Sequence, residues 1–115
     1  MITIYHNPRC RKSREGLAVL EQSGQKYSVI RYLEEPLGRD ELKQILKYLD
    51  ISPIELIRIS EPIWKSEYKG KILSDDALIA AIAEYPKLME RPIVVKNKRA
   101  VVGRPPEKIL ELLQS

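Results

Sequence analysis

Cysteine and histidine each occur once in this 115-residue chain, phenylalanine is absent, and there is a single tryptophan. One cysteine excludes an internal disulfide, and one cysteine with one histidine is too small a ligand set for an ordinary zinc site, so no metal is expected. Aromatic residues make up only 6% of the chain, and no helix-turn-helix, zinc-finger or aromatic RNA-binding signature accompanies the net charge of +4. The cationic residues are scattered, so nucleic acid is not an expected partner; a small anionic substrate accounts for local positive charge equally well. No apolar run approaches the ~18 residues of a membrane span. The start, Met1-Ile2-Thr3-Ile4, is strand-like and carries neither a basic leader region nor a small-residue cleavage site. Without an export mark or a disulfide framework, a reducing, cytoplasmic setting away from membranes is the expectation.

The single cysteine stands where a strand turns into a helix. Ile2 to His6 alternates and is β-branched, as a strand requires. Asn7-Pro8-Arg9 then leads into Cys10 and a helix over about Lys12 to Ser23, with Gly24 as its stop. A thiol at a helix N-terminus meets unpaired backbone N–H groups and the positive end of the helix dipole, both of which favour the thiolate. Arg9, Arg11, Lys12 and Arg14 surround it and predict a further lowering of its pKa. A lone cysteine is more often a small buried hydrophobe. Its place among arginines after Asn-Pro reads instead as a reactive thiol.

Two neighbours have alternative readings. His6 is either a locally hydrogen-bonded strand-end residue or, when protonated, a group that orients the loop and favours the thiolate. Ser13 is either a first-turn helix residue or a hydroxyl donor to the sulfur. A phosphatase-type phosphate loop requires arginine six residues after the cysteine, and that position is Gly16. Ser13 also stands where a Cys-x-x-Cys motif has its second cysteine, so a disulfide formed during turnover must be resolved by a thiol from outside the chain.

The remaining pattern is that of one α/β domain. Tyr27 to Tyr32 reads as a second strand, which makes a parallel, right-handed βαβ unit with the first. Leu42, Ile45, Leu46 and Leu49 predict an amphipathic helix over about Arg39 to Leu49. Ser52-Pro53-Ile54-Glu55 is a capping box opening a short helix that Glu61-Pro62 ends, unless the proline starts another. Ser74 caps a helix from Asp75 to about Glu84, which Pro86 interrupts. Ile93-Val94-Val95 and Ala100-Val101-Val102 flank an Asn97-Lys98 turn and predict a hairpin, followed by a last helix after Arg104-Pro105-Pro106-Glu107. The order is βαβ, a helical insertion over about residues 37–90, then ββα. Arg58, Arg91 and Arg104 are each ordinary surface charges taken singly; read together they fit a guanidinium clamp for a tetrahedral oxyanion.

These residues resemble the glutaredoxin-linked arsenate reductase family. The motif His-x3-Cys-x3-Arg is present as His6, Cys10 and Arg14 within Tyr-His-Asn-Pro-x-Cys-x-x-Ser-Arg. Arg39-Asp40-Glu41-Leu42, Arg91-Pro92-Ile93-Val94-Val95 and Arg104-Pro105 follow in the family's order. The resemblance implies a thioredoxin-like fold, a mixed four-stranded sheet flanked by helices, and a cis bond before Pro92. It also implies that Cys10 attacks arsenate or a similar small oxyanion, with His6, Ser13 and Arg14 stabilising the thiolate and Arg58, Arg91 and Arg104 binding the oxyanion. No cofactor is bound in that scheme; glutathione is a co-substrate and glutaredoxin a partner, and arsenite leaves. Members usually carry Gly-Thr after the cysteine where this chain has Arg11-Lys12, two cations that either narrow the pocket or draw an anion. Two rivals share the fold: a related glutathione-dependent thiol oxidoreductase, and an Spx-like regulator that binds RNA polymerase. Spx members that sense redox state through Cys-x-x-Cys have a bridge that Ser13 denies to this chain.

Overall fold

The computed structural model describes residues 1–114 and divides into two compact units, Met1–Glu35 with the chain from Arg91 onward, and Pro36–Glu90. The second unit spans nearly the same residues as the helical insertion read at about 37–90.

The first unit is a thioredoxin-like α/β fold. Strands β1 (Ile2–Tyr5), β2 (Ser28–Ile30), β3 (Ile93–Lys96) and β4 (Arg99–Val102) form one mixed sheet in the order β2-β1-β3-β4. β1 runs parallel to β2 and antiparallel to β3, and β3 and β4 form the expected hairpin. Its turn places Asn97 at φ 57°, a left-handed conformation that asparagine tolerates well. Helix α1 (Arg11–Ser23) crosses between β1 and β2 and stops at Gly24, φ 72°. The C-terminal helix here called α5 (Glu107–Leu113) packs on β4 and α1. Ile2 and Ile4 of β1, Val94 of β3, Leu20 of α1, and Ile109, Leu112 and Leu113 of α5 make one buried apolar cluster. Each such side chain, fully buried, is worth roughly 1.5–3 kcal/mol against exposure, which fixes the face of α1 that meets the sheet.

Between these lies the helical unit, with α2 (Arg39–Leu49), α3 (Pro62–Glu67) and α4 (Asp75–Glu84). Leu42, Ile45 and Leu46 are buried on α2, as their spacing predicts. The Ser52 capping box opens a 3-10 turn, Pro53–Leu56, with Ser52 N–H donating to Glu55 Oε2 at 2.8 Å. Pro62 begins α3 rather than ending a helix, because the first helical position needs no N–H. Ser74 Oγ accepts the Ala77 N–H at 3.1 Å and caps α4. β2 is shorter than the Tyr27–Tyr32 stretch, because only Thr3 to Tyr5 of β1 offer it partners. Among the described residues, no helix is long and apolar enough to cross a membrane.

Candidate active site

The sheet register explains which residues meet at the end of β1. Tyr5 pairs with Ile93, so the residues that follow β1 stand opposite those that precede β3. The chain after β1 folds into a tight turn, with Cys10 N–H donating to Asn7 O at 3.0 Å. Arg9 N–H donates to Asn7 Oδ1 at 3.0 Å. Proline at the second turn position and asparagine at the first are the residues such a turn favours. Cys10 is the N-cap of α1, in extended conformation, and Arg14 N–H closes the first helical bond on the Cys10 carbonyl at 3.0 Å.

Cys10 is half-buried and unpaired as a thiol. Burial alone pushes its pKa up. Against that stand the Arg91 side chain, which hydrogen-bonds the sulfur and adds its charge, and the backbone N–H groups of Ser13 and Lys12; the outcome lies below the ordinary 9.0. Three of the four surrounding cations are engaged elsewhere. Arg11 and Lys12 reach Glu15 at 3.3 and 3.9 Å on the exposed flank of α1. The Arg14 guanidinium donates to Pro8 O at 3.0 Å. The expected local arginine cluster is therefore not what acts on the sulfur: Arg14 braces the loop, and Arg91 arrives from the far end of the chain.

Ser13 and His6 take the local of the two readings open to each: a first-turn helix residue and a locally hydrogen-bonded strand-end residue. The fully buried Ser13 Oγ accepts the Asn7 N–H at 2.9 Å and shares a 2.7 Å hydrogen bond with His6 Nδ1. Its hydroxyl is thus committed to the loop, and its backbone N–H serves the sulfur. Burial, then the charge of Arg31, pushes the His6 pKa below 6.5, with Arg14 adding to the fall and the Ser13 hydrogen bond opposing it. The same shift disfavours the protonated form invoked for thiolate stabilisation.

Arg91 is 9% exposed, and its Nε is buried with no hydrogen-bond partner. The Arg91–Pro92 bond is cis, as the resemblance implies, and Arg104–Pro105 is cis as well, which the sequence reading did not include. Gly103 N–H donates to Pro92 O at 2.8 Å, which sets Arg91 and Arg104 on adjacent loops at the same end of the sheet. Pro92 is wedged between two glycines. A Cβ on Gly16 would lie 2.7 Å from Pro92 Cγ, and one on Gly103 would lie 3.1 Å from the same atom. Arg58 belongs to the helical unit, where it pairs with Glu61 at 2.9 Å and Glu90 at 3.6 Å. Among the described residues, no three His, Cys, Asp or Glu side chains gather to hold a metal ion.

Comparison with known proteins places the chain in a family. The ArsC family matches residues 5–112. An uncharacterised Escherichia coli protein, YfgD, is 47% identical over 114 residues, covering 97% of this chain and 96% of its own. An arsenate reductase of Neisseria meningitidis is 42% identical over 114 residues, covering 97% of each. The solved structure of an arsenate reductase from Vibrio cholerae superposes with a TM-score of 0.91 at 50% identity, covering 96% of this chain and 95% of that one. With a family match across nearly its whole length and relatives this similar, the chain belongs to the ArsC family.

Proposed function

We propose that this protein is an arsenate reductase in which Cys10 is the nucleophile. One observation carries the reading. A guanidinium that is nine-tenths buried hydrogen-bonds the Cys10 sulfur and keeps one N–H without a partner among the described residues. A buried donor left unmade costs about 1–3 kcal/mol, and an oxyanion arriving beside the sulfur that attacks it supplies an acceptor. The arsenate reductases among the relatives support arsenate as that oxyanion.

In the reaction, the Cys10 thiolate forms a bond to arsenic(V) and an arsenate oxygen leaves as water. Arg91, and Arg104 on the neighbouring loop, offset the charge that builds on the remaining oxygens. Glutathione then bonds to arsenic, displacing a second water. Glutaredoxin attacks the glutathione sulfur, two electrons pass to arsenic, and the glutathione leaves as a mixed disulfide on glutaredoxin. Hydrolysis of the arsenic(III)–sulfur bond releases arsenite and restores Cys10. The single cysteine supports this use of external thiols. Arg58 enters the scheme through the family resemblance alone, because its guanidinium is engaged by Glu61 and Glu90.

The test is arsenate-dependent NADPH oxidation in a mixture with glutathione, glutaredoxin and glutathione reductase. Wild type is expected to turn over and Cys10→Ser to fall to background. A wild-type rate no higher than that of Cys10→Ser removes the activity, and turnover retained by Cys10→Ser removes the nucleophile.

A further inference from the structure

A cleft of about 410 Å³ opens beside the Cys10 loop, within the sheet unit. One wall is His6, Asn7, Pro8 and Arg9; the other is Arg31, Leu33 and Glu34, from the segment that follows β2. The walls are joined by His6 N–H donating to Ile30 O at 2.8 Å. Its volume lies in the range of about 300–1,000 Å³ typical of small-molecule sites. Nothing in the attack on arsenic uses this space.

Its charges distinguish it. Of the cations on and beside the loop, Arg11 and Lys12 are taken by Glu15 and Arg14 by the Pro8 carbonyl. Arg9 and Arg31 enter no ion pair among the described residues, and both line the cleft. The Arg31 charge also acts on the buried His6 ring, which lines the cleft. Glu34 stands on the same wall as Arg31 and completes a surface with two cations and one anion.

We propose that this cleft binds the external thiol, and that it selects a peptide thiol bearing two carboxylates and one ammonium, which is the charge pattern of glutathione. Arg9 and Arg31 take the carboxylates and Glu34 the ammonium. Arg9 is the chain neighbour of Cys10, with α-carbons about 3.8 Å apart, so a tripeptide anchored here brings its sulfur over the loop to the arsenic adduct. In that step the sulfur–arsenic bond forms, the thiol proton leaves with an arsenic-bound oxygen as water, and arsenic stays at +5. The inference rests on Cys10 as the nucleophile.

Two measurements separate the inference from that reading. First, amide shifts are followed by NMR as S-methylglutathione, which cannot react, is added at millimolar concentrations to wild type and to Arg9→Ala/Arg31→Ala. Shifts at Arg31, Leu33 and Glu34 that vanish in the double variant support the site; no shift there in wild type overturns it. Second, the coupled assay is run while glutathione or arsenate is varied. Two exposed charge pairs are each worth a few-fold in affinity, so the double variant is expected to raise the KM for glutathione about tenfold while the KM for arsenate stays within twofold. An unchanged KM for glutathione in a wild type that turns over overturns the inference and leaves Cys10 chemistry standing. S-methylglutathione seated in the cleft of a wild type without arsenate turnover keeps the site and ends the reductase reading. Arg9 and Arg31 are both exposed, so folding is not at issue; Arg31→Glu, which reverses the charge, is expected to exceed either alanine change alone.

Discussion

Arg91 and Arg58 are the same side chain put to opposite uses. Arg58, in the helical unit, sits between Glu61 and Glu90, positioned by an antiparallel bridge between Ile57 and Met89. Arg58 N–H donates to Leu88 O at 2.7 Å and Glu90 N–H to Leu56 O at 2.8 Å, so the backbone itself brings cation and carboxylate together. Arg91, in the sheet unit, is more deeply buried and has a sulfur rather than a carboxylate beside it. A guanidinium answered by carboxylates is neutralised where it stands. One buried against a polarisable thiol keeps an N–H unanswered among the described residues and lowers the pKa of that thiol.

Removing Arg91 should have the largest effect. Arg91→Ala takes away the strongest of the groups that lower the Cys10 pKa, while the burial that raises it remains. The midpoint of iodoacetamide alkylation against pH should therefore move upward, from below 9.0 toward or past it. Loss of a charge-stabilising donor should also reduce arsenate kcat/KM by roughly 10²–10³. Arg91→Lys keeps the charge without the planar fork and should fall between. An alkylation midpoint unmoved in Arg91→Ala would dissolve the contrast with Arg58.

Arg58→Ala probes the other side of the comparison. It removes the Arg58 guanidinium from Glu61 and Glu90, which are 20% and 29% exposed. Exposed pairs are worth about 0.2–1 kcal/mol and fully buried ones cost about 3–5 kcal/mol to break, so a loss of about 1–2 kcal/mol in urea unfolding is expected. A loss near zero would make that ion pair an ornament.

The smallest change should follow Arg11→Gly/Lys12→Thr. These side chains are 84% and 52% exposed and engaged with Glu15, and solvent screens what remains of their charge. The alkylation midpoint should stay near its wild-type place, far short of the Arg91→Ala displacement. An equal displacement would restore the local cation cluster as the source of thiol activation.

That contrast also marks how far the sequence could be read. Features decided within a turn or two were legible: the α2 face, the Ser74 cap, the Gly24 stop, the Asn97 hairpin turn, and Cys10 at the head of α1. Features decided by pairing were not. Nothing near Cys10 in the chain names Arg91 as its partner, since that contact follows from the antiparallel register of β1 and β3. Counting nearby arginines assigned the electrostatics to side chains that Glu15 and the Pro8 carbonyl already hold. Ser13 was correctly placed near the sulfur, yet its hydroxyl and its N–H face different tasks that only the folded loop separates. The downward shift of the His6 pKa depends on burial and on Arg31, a residue beyond the next strand.

Pro92 has a mechanical consequence for turnover. Gly16 on one side and Gly103 on the other leave no room for even a methyl group against its ring, and Ile109 closes on both glycines from α5. The loop carrying Arg91 consequently rests on a hard stop and has no inward travel. In the proposed reaction, changes in the separation of sulfur and guanidinium then fall to rotations within the Cys10 and Arg91 side chains, with the backbone between them serving as a fixed bench.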